Sequence, residues 1–153
     1  MDKEPSKRHT ALKPLSREHH HGLLLCWKIR TGIKKEIETL RIWSYVSWFY
    51  DNHLARHFET EEKYIYPILG SDNEFIKKAV SEHRKISHLI QEAPKSYKNL
   101  DLIAEILENH IRVDERSLFS EIQAIAIEEQ LQMINSQHTE AKFIDNLNDP
   151  FWE

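Results

Sequence analysis

An all-α chain is predicted here: a four-helix bundle running up-down-up-down, extended by a short C-terminal helix and an aromatic tail. Three observations lead to it. Only 3 Gly and 5 Pro occur among 153 residues, 30% of them charged, a composition poor in β-turn formers and suited to helices. Apolar residues return every three or four positions through four long stretches, the periodicity of helices that each bury one face. The segments between those stretches are short, which makes consecutive helices antiparallel neighbours. At this length the chain forms one domain large enough to bury a core.

The elements follow in order. Residues 1–14 are polar, contain Pro5 and Pro14, and read as an N-terminal arm. Ser16 is placed to cap the first helix, with Pro14 blocking extension backwards. The apolar track of this helix runs through Leu15, His19, Gly22 or Leu23, Cys26, Ile29, Ile33, Ile37 and Leu40, with an end near Thr39. The second helix carries Trp43, Val46, Phe49, Tyr50, His53, Leu54, His57, Glu61, Ile65 and Ile68, and stops between Pro67 and Gly70. A turn at Ser71, Asp72 and Asn73 opens the third, whose inward face holds Ile76, Ala79 or Val80, His83, Ile86 and Ile90. Pro94 ends it after about Ala93. The fourth begins near Asn99 or Asp101 and carries Leu102, Ile103, Ile106, Leu107, His110, Val113, Asp114, Leu118 and Ile122. The bundle thus spans 15–125. Residues 126–153 hold a short helix around Glu128 to Gln137 and a tail ending in Phe151 and Trp152. Those aromatics are costly to leave in water, so the tail docks on the bundle or on a second copy of the chain in a homodimer.

Polar residues set into these apolar faces carry the chemistry. His57 stands four residues before Glu61, and His110 four before Asp114. Four helical residues advance about 400° and rise about 6 Å, so each pair presents an imidazole and a carboxylate on one side. Glu18 and His19 open one helix, Glu82 and His83 another, so the chain reads as two equivalent helix pairs. Folded face to face, the pairs bring His19, His57, His83, His110, Glu61 and Asp114 to one buried point, donors that a divalent metal accepts. A lone His on an apolar face is usually a satisfied core residue. Two acids on such faces are different, because an unpartnered buried carboxylate costs on the order of several kcal/mol. His19, His20 and His21 compete for one place; the apolar track favours His19, with His20 second. Asp114 is preferred to Glu115, which lies about 140° off the face of a regular helix, although a π-bulge would bring it in. His53 reads as a partly exposed residue near a helix end. His9, His88 and His138 read as surface residues, Cys26 as a small core hydrophobe, and Lys28, Arg30, Lys34 and Lys35 as a solvated face.

Other classes are disfavoured. A formal net charge of -4 offers no general attraction to nucleic acid or to an anionic membrane. No apolar run approaches the roughly 20 residues of a membrane span, and no signal-peptide segment opens the chain. A single Cys excludes an internal disulfide, and cytoplasm is the expected location. No phosphate-binding Gly loop or serine-nucleophile signature occurs.

Glu18 with His19, His20 and His21, His57 with Phe58, Glu61 and Glu62, Glu82 with His83, and His110 with Asp114 and Glu115 together resemble the hemerythrin-like, HHE cation-binding family. The resemblance covers roughly residues 12 to 122. It implies a hemerythrin-like bundle around a non-haem di-iron centre: two Fe ions joined by an oxo or hydroxo group, with Glu61 and Asp114 bridging and histidines completing each sphere. Mn or Zn would suit related donor sets. Oxygen-carrying hemerythrins have a second His four residues after the first on the third helix; here that position is Ser87, with His88 one step off the face. The resemblance is therefore to the family's stress-related, iron-handling branch, with two His per metal and an open position on each. Asp114 stands where that branch more usually has Glu, shortening one bridge. The expected partner is a small diatomic or a peroxide, with no nucleic acid, no membrane and no identified protein. Trp43, Phe49, Phe58 and Leu118 would wall the centre from water. The competing expectation is a helical interaction module with structural zinc or no metal, acting through the basic face of the first helix or the Phe151 and Trp152 tail.

Overall fold

The computed structural model describes residues 7–138, 140 and 142–153. Five helices, and no strand among the described residues, make up the chain. α1 spans Lys13–Lys34. α2 is one helical run over 39–65, composed of Thr39–Phe49, a π-turn Tyr50–Leu54, Ala55–Thr60 and a second π-turn Glu61–Ile65, and it closes in a 3-10 turn Tyr66–Ile68. α3 is Glu74–Glu92. α4 covers 97–125 as Tyr97–Val113, a π-turn Asp114–Leu118 and Phe119–Ile125. α5 is Glu128–Gln137. α1 packs most extensively against α4, and α3 also packs against α4, as in an antiparallel bundle.

Local chemistry sets the boundaries. Asn73 caps α3, its side chain accepting from the backbone N–H of Phe75 and Ile76, and Ser96 caps α4 by accepting from Asn99. α4 therefore starts at Tyr97, two residues before the earliest expected start. Ser16 is not a cap. α1 starts at Lys13 with Pro14 in its first turn, where a missing N–H has no cost, and the Ser16 hydroxyl donates to Glu115 at 3.1 Å. The expected run of α1 to Thr39 is also wrong. The helix stops at Lys34, and Glu36 takes a left-handed φ of 56°, so the chain reverses without Gly or Pro. Leu40, expected inside, is left 63% exposed by that break. Val113, expected inward, is exposed too, and neighbouring Ile111 is buried against Gly22 instead. The arm is only partly described; residues 1–6 lie outside the described set, and Ala11 and Leu12 are buried.

Two apolar clusters fill the bundle. One gathers Leu25, Ile29, Trp43, Val46, Phe49, Ile86, Ile103 and Leu107 with Phe151 from the tail; the other gathers Leu12, Leu15, Ile65, Tyr66, Leu118, Phe119 and Ile122 with Leu131 and Ile134 of α5. The tail docks on its own bundle. Phe151 is buried, Arg41 holds Asp149 through two hydrogen bonds of 2.7 and 2.8 Å, and Lys35 donates to the Trp152 carbonyl. Lys28 is not solvated as expected. It is buried, hydrogen-bonded to Tyr45 and Asp145, and lies 4.0 Å from the Trp152 ring centroid. No helix among the described residues is long and apolar enough to cross a membrane.

Candidate metal centre

Buried polar side chains converge from all four bundle helices. α1 contributes His19, α2 contributes His57 and Glu61, α3 contributes His83, and α4 contributes His110 and Asp114. All six are buried, Glu61 and Asp114 at 0% exposure. Glu61 Oε1 lies 3.4 Å from His57 Nε2 and 3.1 Å from His83 Nε2, and its Oε2 lies 3.4 Å from His19 Nε2. Asp114 Oδ2 lies 3.1 Å from His110 Nε2 and 3.4 Å from His19 Nε2. The shorter Asp side chain thus still reaches histidines of two helices. Two sets of three sharing Glu61, one with His19 and His57 and the other with His83 and His110, have donor atoms within 4.8 Å of one another.

Each imidazole is held from behind by a glutamate of the adjacent helix. His57 Nδ1 bonds Glu18 at 2.8 Å, His83 Nδ1 bonds Glu62 at 2.8 Å, His110 Nδ1 bonds Glu82 at 3.0 Å, and His19 Nδ1 bonds Glu115 at 2.9 Å. The ring closes: α1 holds α2, α2 holds α3, α3 holds α4, and α4 holds α1. Helix geometry dictates this. A residue one step from an inward position is rotated about 100°, towards the neighbouring helix. On α1 and α3 the glutamate precedes its inward histidine, and on α2 and α4 it follows its inward acid. Reversing both sequence direction and helix direction preserves the sense of rotation, so all four glutamates turn the same way around the bundle. Glu115 is accordingly a holder of His19 and not a member of the inner cluster, although a π-turn does begin at Asp114.

That outer ring determines what the inside lacks. With each Nδ1–H donated to a carboxylate, each Nε2 presents a lone pair inward. His83 and His110 Nε2 are 3.0 Å apart, and Glu61 Oε1 and Oε2, His19 Nε2 and His57 Nε2 are buried without a hydrogen-bond partner. Acceptors facing acceptors in a dry core repel unless a cation lies between them. Protons are the minimal answer. Burial works against charging His19 and His110, but Asp114, Glu115 and Glu61 around His19, and Asp114, Glu61 and Glu82 around His110, hold both well above the ordinary imidazole range. Burial is likewise overcome at Glu61, which His57, His110 and His19 hold well below the ordinary carboxylate range. Imidazole and carboxylate donors of this kind fit a divalent or trivalent metal better than protons, which can bridge only two donors at once.

Two aromatics found here lie outside the expected ligand set. Tyr66 donates its buried hydroxyl to Asp114, at 3.0 and 3.1 Å from the two oxygens, and lies 3.4 Å from His83 Nε2. Burial and the charges of Glu61 and Asp114 raise its ionisation far above the ordinary tyrosine value. Phe119 stacks on His19 at 5.1 Å. Each is the fifth residue after an inner acid. A regular helix would turn them about 140° off the face, but the π-turns starting at Glu61 and Asp114 bond five residues on and return them to it. The repeated aromatic at that spacing was the available signal. Of the expected wall, Phe58 stacks on His83 at 3.9 Å, while Trp43, Phe49 and Leu118 fill the apolar clusters on either side.

The remaining histidines sort clearly. His20 is exposed and His21 stacks on Phe143, leaving His19 at the centre. His53 is half-buried against Trp48 and Phe143. His88 is 69% exposed beside Glu92, and Ser87 shares a hydrogen bond with Tyr50, so no further α3 histidine reaches the centre. His9 is half-buried and accepts from Ala11. His138, expected on the surface, is buried: its Nε2 meets Glu18 at 3.0 Å and its Nδ1 meets Thr60 at 3.2 Å. Cys26 is buried in the core, which pushes its thiol up to about 12.

A layer of inward imidazoles and acids between two apolar clusters of an antiparallel bundle defines a helical cation-binding domain. Residues 10–122 match the hemerythrin HHE cation binding domain, and the chain belongs to that family. No curated protein and no solved structure matches it.

Proposed function

We propose that this protein holds two iron ions between His19, His57, His83, His110, Glu61 and Asp114, and that the pair meets O2, NO or peroxide or serves as a store of labile iron under oxidative or nitrosative stress. The observation that carries this is the ring of Nδ1-to-glutamate bonds, which aims four imidazole Nε2 atoms and two carboxylates at one dry point. His19 and His57 would hold one ion, His83 and His110 the other, and Glu61 and Asp114 would serve both. Bound iron would supply reversible ligand binding and one-electron chemistry.

The chain's own residues then divide the work. Glu18, Glu62, Glu82 and Glu115 fix each imidazole's tautomer and strengthen it as a donor. Tyr66 orients Asp114. Phe58 and Phe119 stack on His83 and His19 and shield these faces from water. The single, buried Cys suits a reducing compartment such as the cytoplasm. Burial of Lys28 and Phe151 within the chain takes one residue from each surface that the interaction-module reading would use, while Lys34 and Lys35 stay exposed.

Purified protein should carry about two irons per chain with absorption of a ferric pair, and the reduced form should respond to anaerobic titration with O2, NO or hydrogen peroxide. Replacing both His57 and His110 by Ala should remove the iron and its spectrum while the helical circular dichroism survives. Protein isolated without metal that ignores added ferrous iron would end this reading.

A further inference from the structure

Beside the centre, between α1, α2 and the segment after α5, lies a cleft of about 410 Å³. His57 and Glu18, which bond each other, and the aromatic Phe143 are among the residues that line it. The Phe143 ring lies nearly parallel to His21, centroids 4.0 Å apart at 15°, with His53 at 4.9 Å. Glu140, Lys142 and Phe143 of its lining fall outside the 10–122 family match.

Both acids in the cleft are engaged: Glu140 accepts from Arg17 in three contacts of 2.7 to 3.0 Å, and Glu18 is shared by His57 and His138. Lys142, exposed at the cleft, has no ion-pair partner among the described residues. His21 Nδ1 is buried with no hydrogen-bond partner. The rings of His21 and His53 both lie against Phe143, the first stacked and the second tilted. The volume lies in the range of small-molecule sites.

The geometry points to a binding site for a planar aromatic carboxylate of one or two rings, stacked along Phe143 and His53, its carboxylate facing Lys142 and accepting from His21. Aromatic faces supply the apolar contact, and the Lys142 ammonium selects the anion. The site does not require the adjacent centre to hold iron.

The test is titration of the full-length protein, with its metal content measured beforehand, using 2-naphthoate as probe and uncharged 2-naphthamide as comparison. Saturable 1:1 binding of naphthoate is expected, with naphthamide at least about tenfold weaker, the equivalent of one good charge contact. Phe143→Ala should abolish binding, and the surface change Lys142→Glu should weaken it about tenfold or more, both at unchanged metal content and helicity. No saturable binding, equal affinity for the amide, or binding that survives Lys142→Glu would overturn the proposal. Loss of iron without loss of naphthoate binding would count against the metal reading alone.

Discussion

Among the described residues Glu82 has one side-chain partner, accepting the Nδ1–H of His110 at 3.0 Å, and it stands outside the inner cluster. Removing such an outer partner typically weakens metal binding about 10- to 100-fold. Glu82→Ala should therefore lower iron affinity by that factor, read by competition with a chelator, while thermal unfolding of the metal-free protein changes little. Unchanged affinity would mean that the ring of glutamates does not tune the centre. Glu18 differs from Glu82 in having a second partner. Thr60 gives its only hydroxyl proton to the Arg56 carbonyl at 3.0 Å, so it accepts from His138, whose other nitrogen faces Glu18. Burial would raise the Glu18 carboxyl, but the bonds to His138 and His57 hold it at about 2. Residue by residue, His57 with Glu61 and His110 with Asp114 were legible as histidine and acid at four-residue spacing, and His19 and His83 as a histidine following a glutamate on an apolar face. The outer four were visible only as echoes beside them, because their role exists only once neighbouring helices are in place.

At the scale of elements, α1 shows how close packing restricts the chain. A Cβ on Gly32 would meet Ile42 Cδ1 and Phe151 Cε2, both at 2.8 Å. Ala is the better helix former by about 1 kcal/mol, yet overpacking a filled core costs about 1–3 kcal/mol. Gly32→Ala should thus destabilise by about 1 kcal/mol net in urea unfolding and change the Trp152 environment as Phe151 shifts. A stabilised variant would show that the tail does not pack there. The π-turns are the other element-scale feature. On a regular helix Tyr66 and Phe119 would lie off the inward face, and the widened turns at Glu61 and Asp114 bring both to the inner histidines and acids.

For the molecule as a whole, the C-terminal segment acts as a strap tied by charge. Asp145 lies against Lys28 and Tyr45; burial raises its carboxyl, but those two bonds outweigh it and keep it below the ordinary value of 3.8. A depressed carboxyl contributes stability that is complete above its unfolded value and is lost as pH falls through the folded one. Asp149, bonded to Arg41, moves the same way. Below about pH 3.8 the strap should loosen before the helices melt, seen as a Trp152 fluorescence change and faster proteolysis after Gln137, with helical ellipticity retained. Simultaneous loss of both signals would show a single cooperative unit. Loaded metal should raise the melting temperature, since it binds the folded centre alone.

Helical class and the inward placing of the histidines and acids follow from the sequence by itself, because periodicities of three and four residues are local and repeat along one helix face. The tertiary structure alone decided the break at Glu36, the burial of Lys28 and His138, and the cleft beneath Phe143. These contacts join residues as much as 120 positions apart, such as Glu18 and His138. No local pattern encodes them; they arise when the strap meets surfaces that the bundle has already formed.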